Sequence, residues 1–448
     1  MEIFYDFNVI IKALEKMSYL NITSFCLLSG CGIKEKAQDS EFYEICKDIM
    51  QNAKMPEYTN VFFTTALYKN SMPDYLNKIE NYYDYQSYLW KDKKVKKTIT
   101  PMTQSLSISC MNLTARKIMN NTIEIENKKF MVLCLIYAGV KQLDFMYRHL
   151  MRDNLLYKCK LKEHIGLVID EDSLHILPQY SGCEAAILTF DLLQKTGYDK
   201  YFNLDYKDFF YALLTDLCHI AVKDAMYLSS RQLSQICDSL ISIHDNTDAS
   251  SELIYNTINI LGNELCERIA KSGELLRKPL DNKISSFFTI CNSLSCLSKL
   301  YKINPLDIYL SSCKKLYDSL NSFWSDSYGF FIKSHDKKIQ YSIKEIAALL
   351  SALKHYRMYC NSKSTDKEDS ILSSCFNSMI IKSGVFINQY YPILDRENLI
   401  LPKTKYSSKR KPPVFIKKVQ YKKDNKKFEQ FDKSFNGEYS LWACKQIL

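Results

Sequence analysis

Glycine and proline are scarce in this chain, 11 and 10 of 448 residues. That shortage works against a turn-rich all-β fold and favours long helices. No uninterrupted apolar run reaches the roughly 18 residues that a membrane-spanning helix needs. Histidine is sparse too, seven in all. Neither H-x-x-H nor H-E-x-x-H occurs, which argues against a catalytic metal. The sequence has no G-x-G-x-x-G, Walker A or G-x-S-x-G motif, so the usual signatures of nucleotide binding and acyl transfer are missing. No cofactor is expected. The cysteines, 16 in number, include no C-x-x-C pair. Cys291 and Cys296, five residues apart, match no common zinc spacing. Most lie on apolar helix faces, where a free thiol behaves as a small hydrophobe.

What is present is the composition of a folded protein, 46% hydrophobic and 25% charged, in a chain long enough for one large domain or two ordinary ones. Near the start, Lys12 and Lys16 precede the apolar stretch "MSYLNITSFCLL", which ends in "LSGC" at 28–31 and passes into the polar "GIKEKAQDS". This resembles the lipobox of bacterial lipoproteins. The resemblance implies a signal peptide over 1–30, a diacylglyceryl group on Cys31, a polar tether over 31–40, and a domain held outside the cytoplasmic membrane. Membrane lipid would then be a partner, since two or more acyl chains anchor a protein stably at about 0.8 kcal/mol per buried methylene. The competing expectation is an ordinary N-terminal helix in which Cys31 is incidental.

From about 40 to 394 the dominant period is helical. In "DYKDFFYALLTDLCHIAVKDAMYL" the residues Phe210, Leu213, Leu214, Leu217 and Ile220 make one apolar face. Comparable faces occur in 250–272, 283–302, 305–323, 343–360 and 368–382. Ser229 with Gln232 and Ser342 with Glu345 have capping-box spacing. Asn304–Pro305 reads as an N-cap followed by a first-turn proline, and Gly384 as a helix stop. The count is about a dozen helices joined by short loops, without the residue-level repeat of a solenoid. In 316–356, a helix, the aromatic loop "FWSDSYGFF", a short extended piece and a capping box lead into a helix carrying Ala347, Ala348 and Ala352. "ILPQYSGCEAAILTFDLLQKTGYDKYF" at 176–202 reads as a loop, then a helix. This pattern resembles the six-hairpin α/α toroids, a shape shared by many glycoside hydrolases and sugar epimerases. The expected fold is therefore mainly α, antiparallel helical hairpins in a toroid.

Residues 395–448 differ. Between Lys403 and Lys433 lie 12 Lys or Arg and three acids, +9 of the chain's net +10. "VFIKKVQY" and "KKFEQF" around "KDN" read as a small β-hairpin, and "NGEYSLWACKQIL" as a short closing helix. This segment is expected to pack on the helical domain. With "WKDKKVKK" at 90–97 it gives a basic surface suited to phospholipid headgroups or an anionic wall polymer. Nucleic acid is not an expected partner for an exported protein, but returns as a candidate if the lipobox is fortuitous.

Two loops could carry chemistry. "VIDEDSLHILPQYSGCE" holds Asp170, Glu171, Asp172, His175, Tyr180 and Glu184, and a second loop holds Trp324, Asp326 and Tyr328. Glycoside hydrolysis needs two carboxylates across the scissile bond, and flat rings suit sugar faces. Asp170, Asp172, Glu184 and Asp326 are the candidate catalytic acids, and Tyr180, Trp324 and Tyr328 the candidate sugar-stacking residues, all bordering one concave pocket. The plainer expectation is a solvated acidic loop and a buried aromatic one. His219, beside Asp216 and Asp224, reads as a core histidine. Three functions compete: a glycan-active or glycan-binding lipoprotein, a non-catalytic scaffold of the same fold, and a cytosolic helical protein.

Overall fold

The computed structural model describes residues 4–448 apart from 28, 30, 37–38, 51–61, 72, 76–89, 93–96, 126, 163, 250–251, 280, 362–365, 388–413 and 432–434. Six helices form an inner ring: α3 (Pro101–Met119), α5 (Ile176–Thr196), α7 (Ser230–Asn246), α9 (Phe287–Ile303), α11 (Ile343–His355) and α13 (Gly437–Ile447). Each packs on the next, and α13 returns to α3. Five outer helices follow their inner partners in the chain: α4 (Lys128–Phe145), α6 (Lys207–Asp224), α8 (Glu252–Glu267), α10 (Asp307–Asn321) and α12 (Asp366–Phe376). The outer partner of α13 comes from the other end of the chain. It is α1 (Phe7–Ile22), which packs on α13, α12 and α3. The expected α/α toroid is thus closed by a hairpin assembled from both chain ends.

The described residues among the first forty belong to the folded ring. The segment expected to be a signal peptide is, in the structure, a core helix. Its faces bury Ile10, Leu14, Met17 and Leu20, and Glu15 pairs with Lys117 of α3 at 2.7 Å. A wider helical turn over Thr23–Leu27 is buried as well. Ser29 then caps the exit, donating to the Phe25 carbonyl at 2.6 Å and accepting from the Cys31 amide at 3.1 Å. Cys31 is fully buried. The expected tether is instead a strand, Gly32–Lys36, paired antiparallel with Phe62–Leu67. Gly32 sits there because a Cβ would fall 1.9 Å from the Ala66 carbonyl oxygen. Ser29 and Gly32 thus serve the passage from helix to strand. A further helix, α2 (Asp39–Met50), packs on α4.

The inner helices are buried on nearly every side, and several of their small polar side chains bond to their own helix. Ser105 donates to the Pro101 carbonyl, Thr189 to Ala185 and Ser298 to Leu294. Both capping boxes form as expected, and Gly384 takes φ +65° just past a helix end, as a left-handed stop requires. Two local expectations fail. α10 begins at Asp307 with Leu306 as its N-cap, because the Asn304 side chain is drawn to Asn259 at 2.8 Å. α5 begins at Ile176, so Tyr180–Gly182 are helical. Gly182 admits Leu156, whose side chain would lie 2.3 Å from a Cβ.

Near the C-terminus, the expected β-hairpin is present as Lys418–Lys422 paired with Lys427–Gln430, and Lys338–Ser342 adds a third strand. The closing helix carrying Trp442 is α13 itself. Residues 395–448 are therefore not an appendage, since they supply one of the inner helices. Much of the basic stretch, 388–413 and 93–96, lies outside the described residues. Every cysteine is buried except the half-buried Cys360.

Candidate functional site

The first turns of α3, α5, α7, α11 and α13 open onto one cavity of about 560 Å³. Thr100 to Met102 contribute from α3, Ile176 to Pro178 from α5, Arg231, Gln232 and Gln235 from α7, Lys344 from α11, and Glu438 from α13. Trp442, Lys445 and Gln446, further along α13, also line it, as do Asp238 and Ser239 of α7. The loop before α5 forms one rim through Lys158, Ser173 and His175. Alternation of inner and outer helices accounts for the location: every outer-to-inner connection ends at this face of the ring.

The charges mostly cancel in pairs. Lys69 meets Glu438 at 2.8 Å, Lys158 meets Asp170 at 2.9 Å, and Lys445 meets Glu184 at 2.5 Å. Asp238 accepts from Lys299 at 2.7 Å and from Gln446 at 3.0 Å. Burial disfavours its charged form, but the charges of Lys299 and Lys445, with these hydrogen bonds, outweigh that and hold its carboxyl below the usual range. Lys344 lies over three rings, with its Nζ 5.1 Å from the centre of Tyr439, 5.2 Å from Trp442 and 5.7 Å from Phe288. Burial pushes it down to about 8; Arg231 and Lys69 add to that and Glu438 opposes it. Arg231 rests on Phe288 as well, at 5.1 Å.

The expected site residues are dispersed around this cavity, not gathered on its wall. Glu184 is fully buried inside the ring and bound to the lining residue Lys445. Asp170 sits behind the rim on Lys158, which with its hydrogen bond overrides partial desolvation and lowers the carboxyl's pKa. Asp172 is exposed on the loop. Tyr180 faces outward between helices, its hydroxyl donating to the Leu217 carbonyl at 2.7 Å; burial raises its pKa. Trp324 donates to Asp326 at 2.7 Å in an exposed hairpin, and Tyr328 packs on Phe330 and Tyr421. That hairpin lies on the α10-to-α11 connection, toward the cavity end, but none of the three residues lines the cavity. His219 is exposed and not a core histidine. Among the described residues no three His, Cys, Asp or Glu side chains gather as metal ligands would.

No family model and no curated protein matches the chain. Solved structures of similar fold include D-mannose isomerase, with 12% identity and a TM-score of 0.51 over 92% of this chain and 99% of that one. Another is the cellobiose 2-epimerase of Bacillus thermoamylovorans B4167, at 9% identity and 0.53 over 91% and 98%. The likeness is one of fold. It places this chain among the (α/α) toroids along nearly its whole length.

Proposed function

We propose that the protein binds and acts on a saccharide in the cavity at the N-terminal end of the inner ring. The observation that carries this reading is the cavity itself, whose volume falls in the range of small-ligand sites. Its wall combines one face of Trp442 with hydroxyl, amide and charged groups. Two toroids of similar fold are named for sugars, a mannose isomerase and a cellobiose epimerase.

The carboxylates favour proton transfer or binding over hydrolysis. A hydrolase needs one carboxyl that keeps its proton and another that is ionised. Asp238 and Glu438, the lining carboxylates among the described residues, are both tied to lysines. His175 at the rim is the candidate proton carrier, since imidazole suits general acid–base work. The fixed carboxylates equally suit a non-catalytic binding ring.

The test is to incubate the full chain with mannose, glucose and cellobiose in deuterated water. Deuterium should appear at C2 if a proton is removed beside the carbonyl, and Trp442 emission should change on binding. Binding without exchange would leave a non-catalytic ring. Neither signal with any sugar would end the saccharide reading.

A further inference from the structure

Most cations around the cavity have a carboxylate, but two do not. Lys69, Lys158, Lys445 and Lys299 are each paired, to Glu438, Asp170, Glu184 and Asp238. Those pairings leave Arg231 and Lys344, which among the described residues have no close ion pair and no side-chain hydrogen-bond acceptor, Glu438 acting on Lys344 only at longer range. Both are drawn to one ring, Phe288, at 5.1 Å and 5.7 Å. The two like charges repel, and the charge of Arg231 is among the causes that lower the pKa of Lys344.

Their positions in the helices are also unfavourable. Arg231 follows the cap Ser229 by two residues in α7, and Lys344 follows the cap Ser342 by two in α11. A cation in the first helical turn opposes the macrodipole, which favours an anion there. The chain does this twice, at equivalent places in two inner helices, and both side chains line the cavity. In the same cavity, α5 begins without a side-chain cap, so its first amides add to the positive field.

We infer that Arg231 and Lys344 hold the oxyanion of an acidic saccharide, a carboxylate or a phosphate ester, while its sugar ring occupies the rest of the cavity. The inference rests on the saccharide reading above and narrows it to substrates that carry a negative group. An oxyanion between the two cations accepts hydrogen bonds from the guanidinium and the ammonium, cancels their repulsion, and completes the two helix termini. It also returns Lys344, pushed down to about 8 in the ligand-free site, toward full protonation. Trp442, beside Lys344, lines the same cavity where the sugar ring would lie.

The experiment is calorimetric titration of the full chain with glucose, glucuronate, glucose 6-phosphate and inorganic phosphate, for the wild type, Arg231→Gln and Lys344→Met. Glucuronate or glucose 6-phosphate should bind at least about tenfold more tightly than glucose, and each substitution should remove about tenfold of that preference. Glucose affinity should fall less than that of the acidic sugars, and a urea midpoint measured for each variant reports whether it folds. The glucuronate and glucose 6-phosphate arms separate carboxylate from phosphate. If glucose and the acidic sugars bind equally and neither substitution discriminates, the oxyanion site is refuted and the saccharide reading stands. If inorganic phosphate binds as tightly as glucose 6-phosphate and no sugar binds without a charge, the oxyanion site stands and the saccharide reading falls. Binding of nothing overturns both.

Discussion

Asn21 and Ser440 lie 419 residues apart and meet through a 2.7 Å hydrogen bond in the closed core. The same Asn21 oxygen accepts the Phe415 amide at 2.9 Å, and its nitrogen donates to the Cys444 sulfur at 3.1 Å. One buried amide thus joins α1, α13 and the strand before the C-terminal hairpin. Asn21→Ala should cost about 2–3 kcal/mol, since it leaves buried donors and acceptors without partners. Loss measured as a urea midpoint shift would check this; a change within about 0.5 kcal/mol, as at an ordinary surface site, would contradict it.

The same contact bears on Cys31. Cleavage between Gly30 and Cys31 would take α1 out of the ring and expose its partners on α13. The folded protein should therefore retain residues 1–30, and a chain starting at Cys31 should not fold cooperatively. Intact mass of the purified protein decides the point. A mature N-terminus at a diacylglyceryl-Cys31 on a fully folded domain would restore the lipoprotein expectation.

Helices with one apolar face were legible whether outer, as in 207–224 and 250–272, or inner, as in 283–302 and 343–360. Those buried nearly all round, the outer α4 and the inner α3, were less so. α3 is buried nearly all round, and its Ser, Thr and Asn positions blur the 3.6-residue period. The "LSGC" motif reads two ways because a peptidase and a passage from helix to strand both call for small residues such as Ser29. Among the acids, proximity in sequence to aromatic residues proved a poor guide, since Asp326 is satisfied by its own neighbour Trp324. The better signal was already inside the two capping boxes. Arg231 and Lys344 occupy the same place within S-S-R-Q and S-I-K-E, where a helix favours an acid.

His355 gives a pH prediction. Burial, reinforced by Lys299, Lys354 and Lys302, pushes its imidazole well below the ordinary value. It lies 2.8 Å from Ser295 Oγ through Nδ1. The unfolded chain takes up a proton at about pH 6.5 that the folded one refuses. Stability contributed by this group is complete above that pH and declines as pH falls below it. Denaturation midpoints between pH 7.5 and 5 should drop for the wild type and drop less for His355→Gln. Parallel curves for the two would refute the assignment.

Lys354 predicts a slope of the same sign in a more alkaline window. It is buried and donates to the Ile447 carbonyl at 3.0 Å. Burial and then Lys117 push it down to about 8, with Glu15 opposing. Between about pH 8 and 10.4 the unfolded chain holds a proton that the folded chain has released, so stability rises with pH across that window. Lys354→Met should stabilise the protein at pH 7 by on the order of 2 kcal/mol, the charge penalty less one hydrogen bond. The advantage should shrink toward pH 10.4. A variant less stable than wild type at pH 7 would show that the bond to Ile447 outweighs the buried charge.

Glu184 and Lys445 form a buried pair inside the ring, between α5 and α13, which are not ring neighbours. Lys445 Nζ is 2.5 Å from Oε2, while the other carboxylate oxygen, Oε1, finds no hydrogen-bond partner among the described residues. A buried pair with one unsatisfied oxygen has attraction between its charges but incomplete solvation to set against the desolvation of both. Removing one charge alone strands the other, so Glu184→Gln and Lys445→Met should each cost about 3–5 kcal/mol. The double variant, with no stranded charge, should cost much less than the sum and leave the ring folded. Because Lys445 lines the cavity and Glu184 does not, ligand binding separates the two roles. If Glu184 acts only by holding Lys445, the double variant and Lys445→Met should lose the same saccharide affinity. A larger loss in the double variant, at matched stability, would mean that Glu184 itself reaches the ligand, as first expected from its sequence.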